Sequence, residues 1–451
     1  KPVEEPFVEP PEEPPPELDP DEPIDEPQLQ DADVLEPSED VAESDLPSDV
    51  ESFLLDDFPA EQTGELSEIG LGGGWSGLGG GHMGNRGRGR VGGGRPTAIA
   101  VDNGLRWLRD HQAPDGRWRG AGFMRENVMG RTCACDGAGQ EVHDVGLTGL
   151  ALLAFLGDGN TTRQGPYKEV VARGVRWLRE AQDADSGLYG PRRGHGFLYD
   201  HALATLAMCE AWYFTRNPLI GRSAQAGVDF ILLARNPYSA WRYEVPPNGE
   251  SDTSVTGWMV MALTSARDGG LRIDDTALAG ALSWIEEMTD PATGRVGYTE
   301  AGTLSSRIAR VNDHFPPEKG EAMTAVGLLS RFFLGQEPRS LGGDSEVMDR
   351  HAELLLARLP QWDPDGRGCD MYYWYYGSYA MYQMGGSRWW EPWNKAMKQA
   401  VVGSQRGDGD LAGSWDPVGP WGFAGGRVYS TALMVLCLQV YYRYSRVLGA
   451  R

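Results

Sequence analysis

The sequence predicts an all-α fold, an α6/α6 toroid of six helical hairpins in inner and outer rings, preceded by a disordered tail. Three observations carry that expectation. Acids and prolines crowd the first 70 positions. After position 95 an amphipathic segment and a more uniformly apolar one alternate six times, and a glycine turn ending in an aromatic residue recurs between them.

Residues 1–69 are the acidic tail. Through position 70 the chain carries 25 Asp and Glu against Lys1 alone, which accounts for the whole net charge of −24. Like charges repel and proline removes backbone donors, so the tail is expected to stay extended and to bury almost nothing. Its one apolar patch, Ser48 to Phe58, is where a protein partner would be met. Residues 70–95 follow as a Gly/Arg-rich flexible linker with four arginines and no acid. The rest balances at 40 acids and 40 bases, so it has no electrostatic case for nucleic acid or an anionic membrane. No run of 18 apolar residues crosses a bilayer. Pro/Glu stretches of this kind resemble the spacers of bacterial envelope proteins. That favours an extracytoplasmic or membrane-tethered place, with an anchor or signal upstream of Lys1.

Residues 96–451 hold the repeats. Outer members such as "YKEVVARGVRWLREAQ" and "TALAGALSWIEEM" carry a 3.6-residue apolar stripe with charges opposite. Inner members such as "VGLTGLALLAFLG" and "YSTALMVLCLQVYYRY" are apolar on nearly every side, as helices walled in by neighbours must be. The turns read Gln112–Gly116–Trp118 and Gln405–Gly413–Trp415, with looser forms at Gln182–Gly187–Tyr189, Asn236–Trp241 and Gly294–Tyr298. Glycine permits the turn, the amide bonds helix-end carbonyls and the aromatic fills the corner.

These repeats resemble the α/α toroid of the terpenoid cyclase and protein prenyltransferase families, squalene–hopene cyclases among them, over nearly all of residues 96–451. The resemblance implies a central cavity that takes an isoprenoid or other long apolar ligand. In the cyclases the third inner helix opens with Asp-x-Asp-Asp-Thr-Ala, whose middle Asp protonates the polyene. Here the stretch is Gly249–Glu250–Ser251–Asp252–Thr253–Ser254, so Ser251 replaces that acid. The prenyltransferases bind zinc through an Asp-x-Cys at the same level and a His on the fifth inner helix. Ser254 and Tyr373 or Trp374 stand there instead, so neither zinc nor another cofactor is expected at that place.

Aligning the inner helices on Thr148, Ala204, Thr256, Thr324, Tyr376 and Thr431 places Asp144, Asp200, Asp252, Gly320, Tyr372 and Arg427 four residues earlier. Asp at a helix start is a preferred N-cap. In a toroid, however, all six inner N-termini meet at one mouth. Clustered titratable groups in a concave site are where chemistry concentrates. Asp252, Asp144, His201, Asp200 and Glu321 are therefore the acid–base candidates. His143, Asp370, Tyr372, Tyr373, Trp374, Arg427 and Tyr429 are the ligand-binding ones. Cys209 and Cys437 sit in apolar helices and are expected in the core. Cys133 and Cys135 are open to three readings: turn residues, a disulfide, or metal ligands. No second pair completes a metal signature. Beside the lipid-binding reading stand two others, a non-catalytic scaffold on an acidic arm and a polysaccharide lyase or glycosidase.

Removing residues 1–95 is expected to leave the melting temperature nearly unchanged. A large drop in a calorimetric scan of the truncated chain would show that the tail packs on the ring.

Overall fold

The computed structural model describes residues 94–125 and 127–443; the acidic tail, nearly all of the linker and the last eight residues lie outside them. Twelve long helices run in the order α1 (Gly94–Asp110), α2 (Asp144–Gly157), α3 (Lys168–Ala181), α4 (Phe197–Thr215), α5 (Pro218–Leu233), α6 (Thr253–Asp268), α7 (Asp275–Glu287), α8 (Ala322–Phe333), α9 (Glu346–Leu356), α10 (Met371–Met384), α11 (Glu391–Val402) and α12 (Gly422–Leu438), with a last turn, α13 (Val440–Arg443). The described residues form no strand, only three isolated bridges. None of their helices is long and apolar enough to cross a membrane.

The even-numbered helices pack in sequence, and α12 returns to α2, so the inner ring closes. Each odd-numbered helix lies between two inner ones, α1 between α12 and α2. Burial follows the two sequence patterns. All of α2 is buried, whereas α3 buries only the stripe Val170, Val171, Gly174, Val175 and Leu178. Small residues set the closest approach: a Cβ on Gly149 would stand 2.7 Å from the Leu203 backbone, so alanine there would force α2 off α4.

The turns do more than cap their own helices. Gln112 Nε2 donates to Gly116 O at 2.8 Å and also to Val170 O of the next outer helix at 3.0 Å, while Arg173 of that helix donates to its Oε1. Gln182 spans Gly187 O and Ser223 O, and Gln405 spans Gly413 O and Ala100 O. Gly116 has φ of 103° and would press a Cβ to 2.5 Å from Arg173 O, so the turn needs glycine twice over. The corner aromatics hang from the preceding outer helix, Trp118 Nε1 donating to Leu108 O at 2.7 Å and Trp415 Nε1 to Val401 O at 2.7 Å. The threonines used for alignment accept the next amide inward: Thr148 from Trp118 N, Thr256 from Trp241 N, Thr431 from Trp415 N.

The fourth turn corrects the expected spacing. Val296 fills the corner, with its amide on Thr324 and a bridge to Thr289. Tyr298, two residues on, is released toward the mouth. In that seam His351 of the next outer helix donates from Nδ1 to Gly294 O at 2.6 Å, the bond that glutamine makes elsewhere. Cys209 and Cys437 are buried thiols, as expected.

Gln112→Leu is expected to leave the Gly116 carbonyl without its donor and to remove the tie to Val170 O and Arg173, costing about 1–3 kcal/mol in a denaturant melt. No change in the midpoint would show that the seam is held by packing alone.

Candidate functional site

The inner N-termini do meet at one mouth, but the acids there are not equivalent. Asp144 accepts from Gly120 N at 2.8 Å and pairs with Arg117 at 3.2 Å. Burial lifts its pKa to about 6. Asp200 sits three residues into α4 and meets His143 Nδ1 at 3.1 Å. Burial works against charge on His143, yet the Asp200 carboxylate outweighs it and holds the imidazole pKa up. Glu321 is paired with Arg295 at 2.8 Å. Asp370 caps α10 through Tyr373 N at 3.1 Å and faces Arg307 at 3.4 Å. Each of these four has a guanidinium or an imidazole of its own.

Asp252 is the exception. It caps α6, its Oδ1 accepting from Val255 N at 2.8 Å. Its side chain is fully buried, and Oδ2 has no hydrogen-bond partner. Arg242, the nearest cation in effect, is already paired with Glu250 at 2.6 Å. Burial therefore raises the Asp252 pKa to about 7, with the Val255 amide, Arg242 and the Tyr298 hydroxyl pulling only weakly the other way. An isolated carboxylate in a dry site takes up a proton rather than remain charged.

Tyrosines surround it. The Tyr243 and Tyr298 hydroxyls bond each other, and the Tyr199 and Tyr243 rings lie 6.1 Å apart. The charge of Asp252 raises the pKa of Tyr199, Tyr243, Tyr298 and Tyr372 after burial has done so. Tyr372 OH meets Ser254 Oγ at 2.8 Å and its ring stands 6.3 Å from Trp258. The charges of Asp370 and Tyr372 add to burial in raising the Tyr429 pKa. Tyr199, Tyr243, Tyr298 and Tyr429 are only partly buried, and Tyr372 and Ser254 each keep 8% exposure, so this layer borders open space. A cavity of about 310 Å³ shares Arg242 and Tyr243 with it and adds His195, Glu244, Asn248 and Glu250. One to two helical turns deeper, Met208, Met259, Leu263, Tyr376 and Tyr379 of the inner helices are fully buried.

Asn236 explains how Asp252 is delivered. In the third turn asparagine replaces glutamine, and the shorter side chain reaches the loop before α6 instead of the next outer helix. Its Nδ2 donates to Glu250 O and to Ser251 Oγ, and its Oδ1 accepts from Gly249 N at 2.7 Å. Ser251, where the cyclases place their acid, is thereby tied to the turn.

Other expected site residues are engaged elsewhere. His201 donates from Nε2 to Gly227 O at 3.0 Å and accepts from Tyr189 N at Nδ1, replacing the threonine that repeat two lacks. Burial drops its pKa to about 4. Tyr373 OH donates to Arg358 O at 2.9 Å, past the end of α9, and the Trp374 ring stands 6.4 Å from Trp362 of the loop before α10, tilted at 53°. Arg427 answers Asp136 and Asp416 instead of the acid ring. The residues that sequence reasoning passed over are Tyr199, Tyr243, Tyr298, Ser254 and Trp258. Tyr199 precedes Asp200 in the same helix turn, but no periodic signal marks the two loop tyrosines.

The architecture is a terpenoid cyclase-like α/α toroid. No family model matches the chain. A segment of 201 residues is 26% identical to the squalene–hopene cyclase of Bradyrhizobium diazoefficiens, covering 41% of this chain and 28% of that protein. Less than a third of the cyclase's length is thus represented. Among solved structures, an α-1,6-mannanase from Salegentibacter superposes with a TM-score of 0.52 at 10% identity, over 76% of this chain and 98% of that one. Cellobiose 2-epimerase from Bacillus thermoamylovorans gives 0.51 at 12% identity, over 76% and 97%. At these identities the likeness is one of fold alone.

Because the folded-state pKa of Asp252 lies above the unfolded carboxylate value, its contribution is fully present below about pH 4. It is lost as pH rises through 7. Wild type is therefore expected to lose stability relative to Asp252→Asn between about pH 5 and pH 8, by on the order of 1–3 kcal/mol. Urea midpoints at the two pH values check this, and a constant difference would mean that Asp252 is ionised throughout.

Proposed function

We propose that the protein is a binding toroid that takes the end of an isoprenoid or similar apolar ligand at the mouth of its inner ring, with Asp252 held neutral as a hydrogen-bond and proton donor to it. The observation that carries this reading is the unpartnered Oδ2 of Asp252 inside a partly open cage of tyrosines. A buried donor or acceptor without a partner costs about 1–3 kcal/mol, and a ligand oxygen would recover it. Aromatic walls at Trp258, Tyr372, Tyr199 and Tyr429 suit an apolar chain. The sequence likeness to a squalene–hopene cyclase supports the ligand class. Because inner-helix side chains below the mouth are fully buried, a shallow seat fits better than a ligand threaded along the ring.

Polyene cyclisation is not part of the proposal, since Ser251 holds the place of the protonating acid and is bonded by Asn236. Glycosidic cleavage calls for two cooperating carboxylates. Asp144, Asp200, Glu321 and Asp370 each answer a cation or imidazole of their own, which favours the single-acid reading.

The test is native mass spectrometry and solvent extraction of the purified full chain, followed by titration with a polyprenyl alcohol. Saturable binding, weakened about ten-fold or more by Asp252→Asn and by Tyr372→Phe, is expected. An empty protein that ignores the alcohol would overturn the proposal in favour of a scaffold.

A further inference from the structure

A second cluster lies away from the mouth, where the first and sixth hairpins meet. His111, at the end of α1, and Cys133 and Cys135, in the loop before α2, bring one imidazole nitrogen and two sulfurs within 4.8 Å of one another. Cys135 Sγ stands 3.3 Å from His111 Nε2. The imidazole is fixed in the manner of a metal ligand. Its Nδ1 donates to Trp107 O at 2.7 Å, leaving the Nε2 lone pair directed at the sulfurs. Trp107 stacks on the ring at 3.9 Å with a 21° interplanar angle, and Phe123 covers it at 5.8 Å.

We propose that His111, Cys133 and Cys135 bind one zinc ion that pins the loop before α2 onto the ring seam, with water or the Asp410 carboxylate in the fourth position. Two thiolates and a neutral imidazole are a soft donor set of the kind zinc selects. With water in the fourth position the centre is electrically neutral, so it can be buried without an unpaired charge; the Asp410 carboxylate in its place would leave one negative charge. The surroundings agree. His111 and Cys135 are both buried, while Cys133 is partly open and gives an ion a way in. Without a cation the Cys135 thiol donates to Asp410 O at 3.4 Å and the Cys133 sulfur accepts from Cys135 N at 3.4 Å, so both sulfurs are already held in place by the seam. Zinc binding would release both thiol protons. Asp410 of the sixth repeat accepts from Ala134 N at 3.0 Å through its carboxylate, and from Trp107 Nε1 at 3.0 Å through its carbonyl. It brackets the two cysteines from the partner side of the seam. The site is independent of the prenyltransferase zinc position on the third and fifth inner helices, and of the ligand seat around Asp252.

The experiment uses the full chain, reduced, stripped with a chelator and titrated with Co²⁺ alone. Thiolate-to-cobalt absorption in the near ultraviolet, with visible bands of tetrahedral cobalt, is expected to saturate near one equivalent and to vanish when zinc is added. Zinc is also expected to protect Cys133 and Cys135 from alkylation, as mapped by peptide mass. Cys133→Ser should abolish the near-ultraviolet band or shift it. If that variant fails to fold, the wild-type spectrum and the alkylation map still decide. Absent thiolate bands would overturn the proposal, as would equal alkylation with and without zinc, or a mass showing the two cysteines joined as a disulfide.

Discussion

Four of the six seams in this ring turn on how the carbonyl of a turn glycine is satisfied between one repeat and the next. A toroid of hairpins has no central sheet; its helices pack chiefly on those of adjacent repeats, with a few contacts across the ring such as Ser254 to Tyr372, so stability is settled largely at the seams. At three of them a glutamine amide bonds its own turn and the following outer helix at once. At the fourth the donor comes from the other side, as His351. The bond is kept and its origin is free to change, which is why the motif looks looser in sequence than it is in space.

The third seam uses that freedom differently. With Asn236 turned to the loop before α6, the joint to the next outer helix passes to Arg235, which donates to Thr276 O at 2.8 Å. The loop so held carries Asp252 into a position where one oxygen caps a helix and the other accepts no well-formed hydrogen bond, with only the Tyr298 hydroxyl near it. Four other acids at the mouth were matched with a cation or an imidazole, and this one was not. Folded proteins rarely bury an unmatched carboxyl group unless something outside the resting structure completes it. The arrangement is thus a local departure from the rules that the rest of the ring obeys, and such departures gather where function does.

The ring itself was legible because its signals are local. Period, glycine and aromatic each act within a dozen residues, so six hairpins and their order could be read directly. The same holds for Asp144 and Asp252, which stand at helix starts where the alignment put them, whereas the third aligned acid, Asp200, lies three residues into α4. What each acid does there was not legible, since the deciding partner comes from a distant loop: Arg117 for Asp144, Arg307 for Asp370, Arg295 for Glu321. His201 is the clearest case. It stands at the mouth in the alignment, yet repeat two has Ala204 where others have threonine, and the imidazole takes over the missing hydroxyl's bond. Tyr298 misled in the opposite sense, being read as a corner residue when Val296 fills the corner and leaves the tyrosine to the site.

Closing a ring adds a demand that the other five seams do not face, because the last inner helix must land on the first in one register. Apolar side chains alone tolerate sliding. At this seam the structure buries charge instead. Arg443 donates to Leu153 O at 2.6 Å and pairs with Glu210 at 2.5 Å, both side chains 3% exposed. Gln439 donates to Ala154 O at 2.7 Å, and Arg427 is locked between Asp136 and Asp416. Buried ion pairs return little net stability, since desolvation offsets most of the attraction. Their effect is on the alternatives: a helix displaced by one turn would leave guanidinium and carboxylate buried apart, at several kcal/mol each. The cluster of His111, Cys133 and Cys135 lies on this same seam, so a metal there would act on closure, the one step of folding that local sequence signals cannot direct.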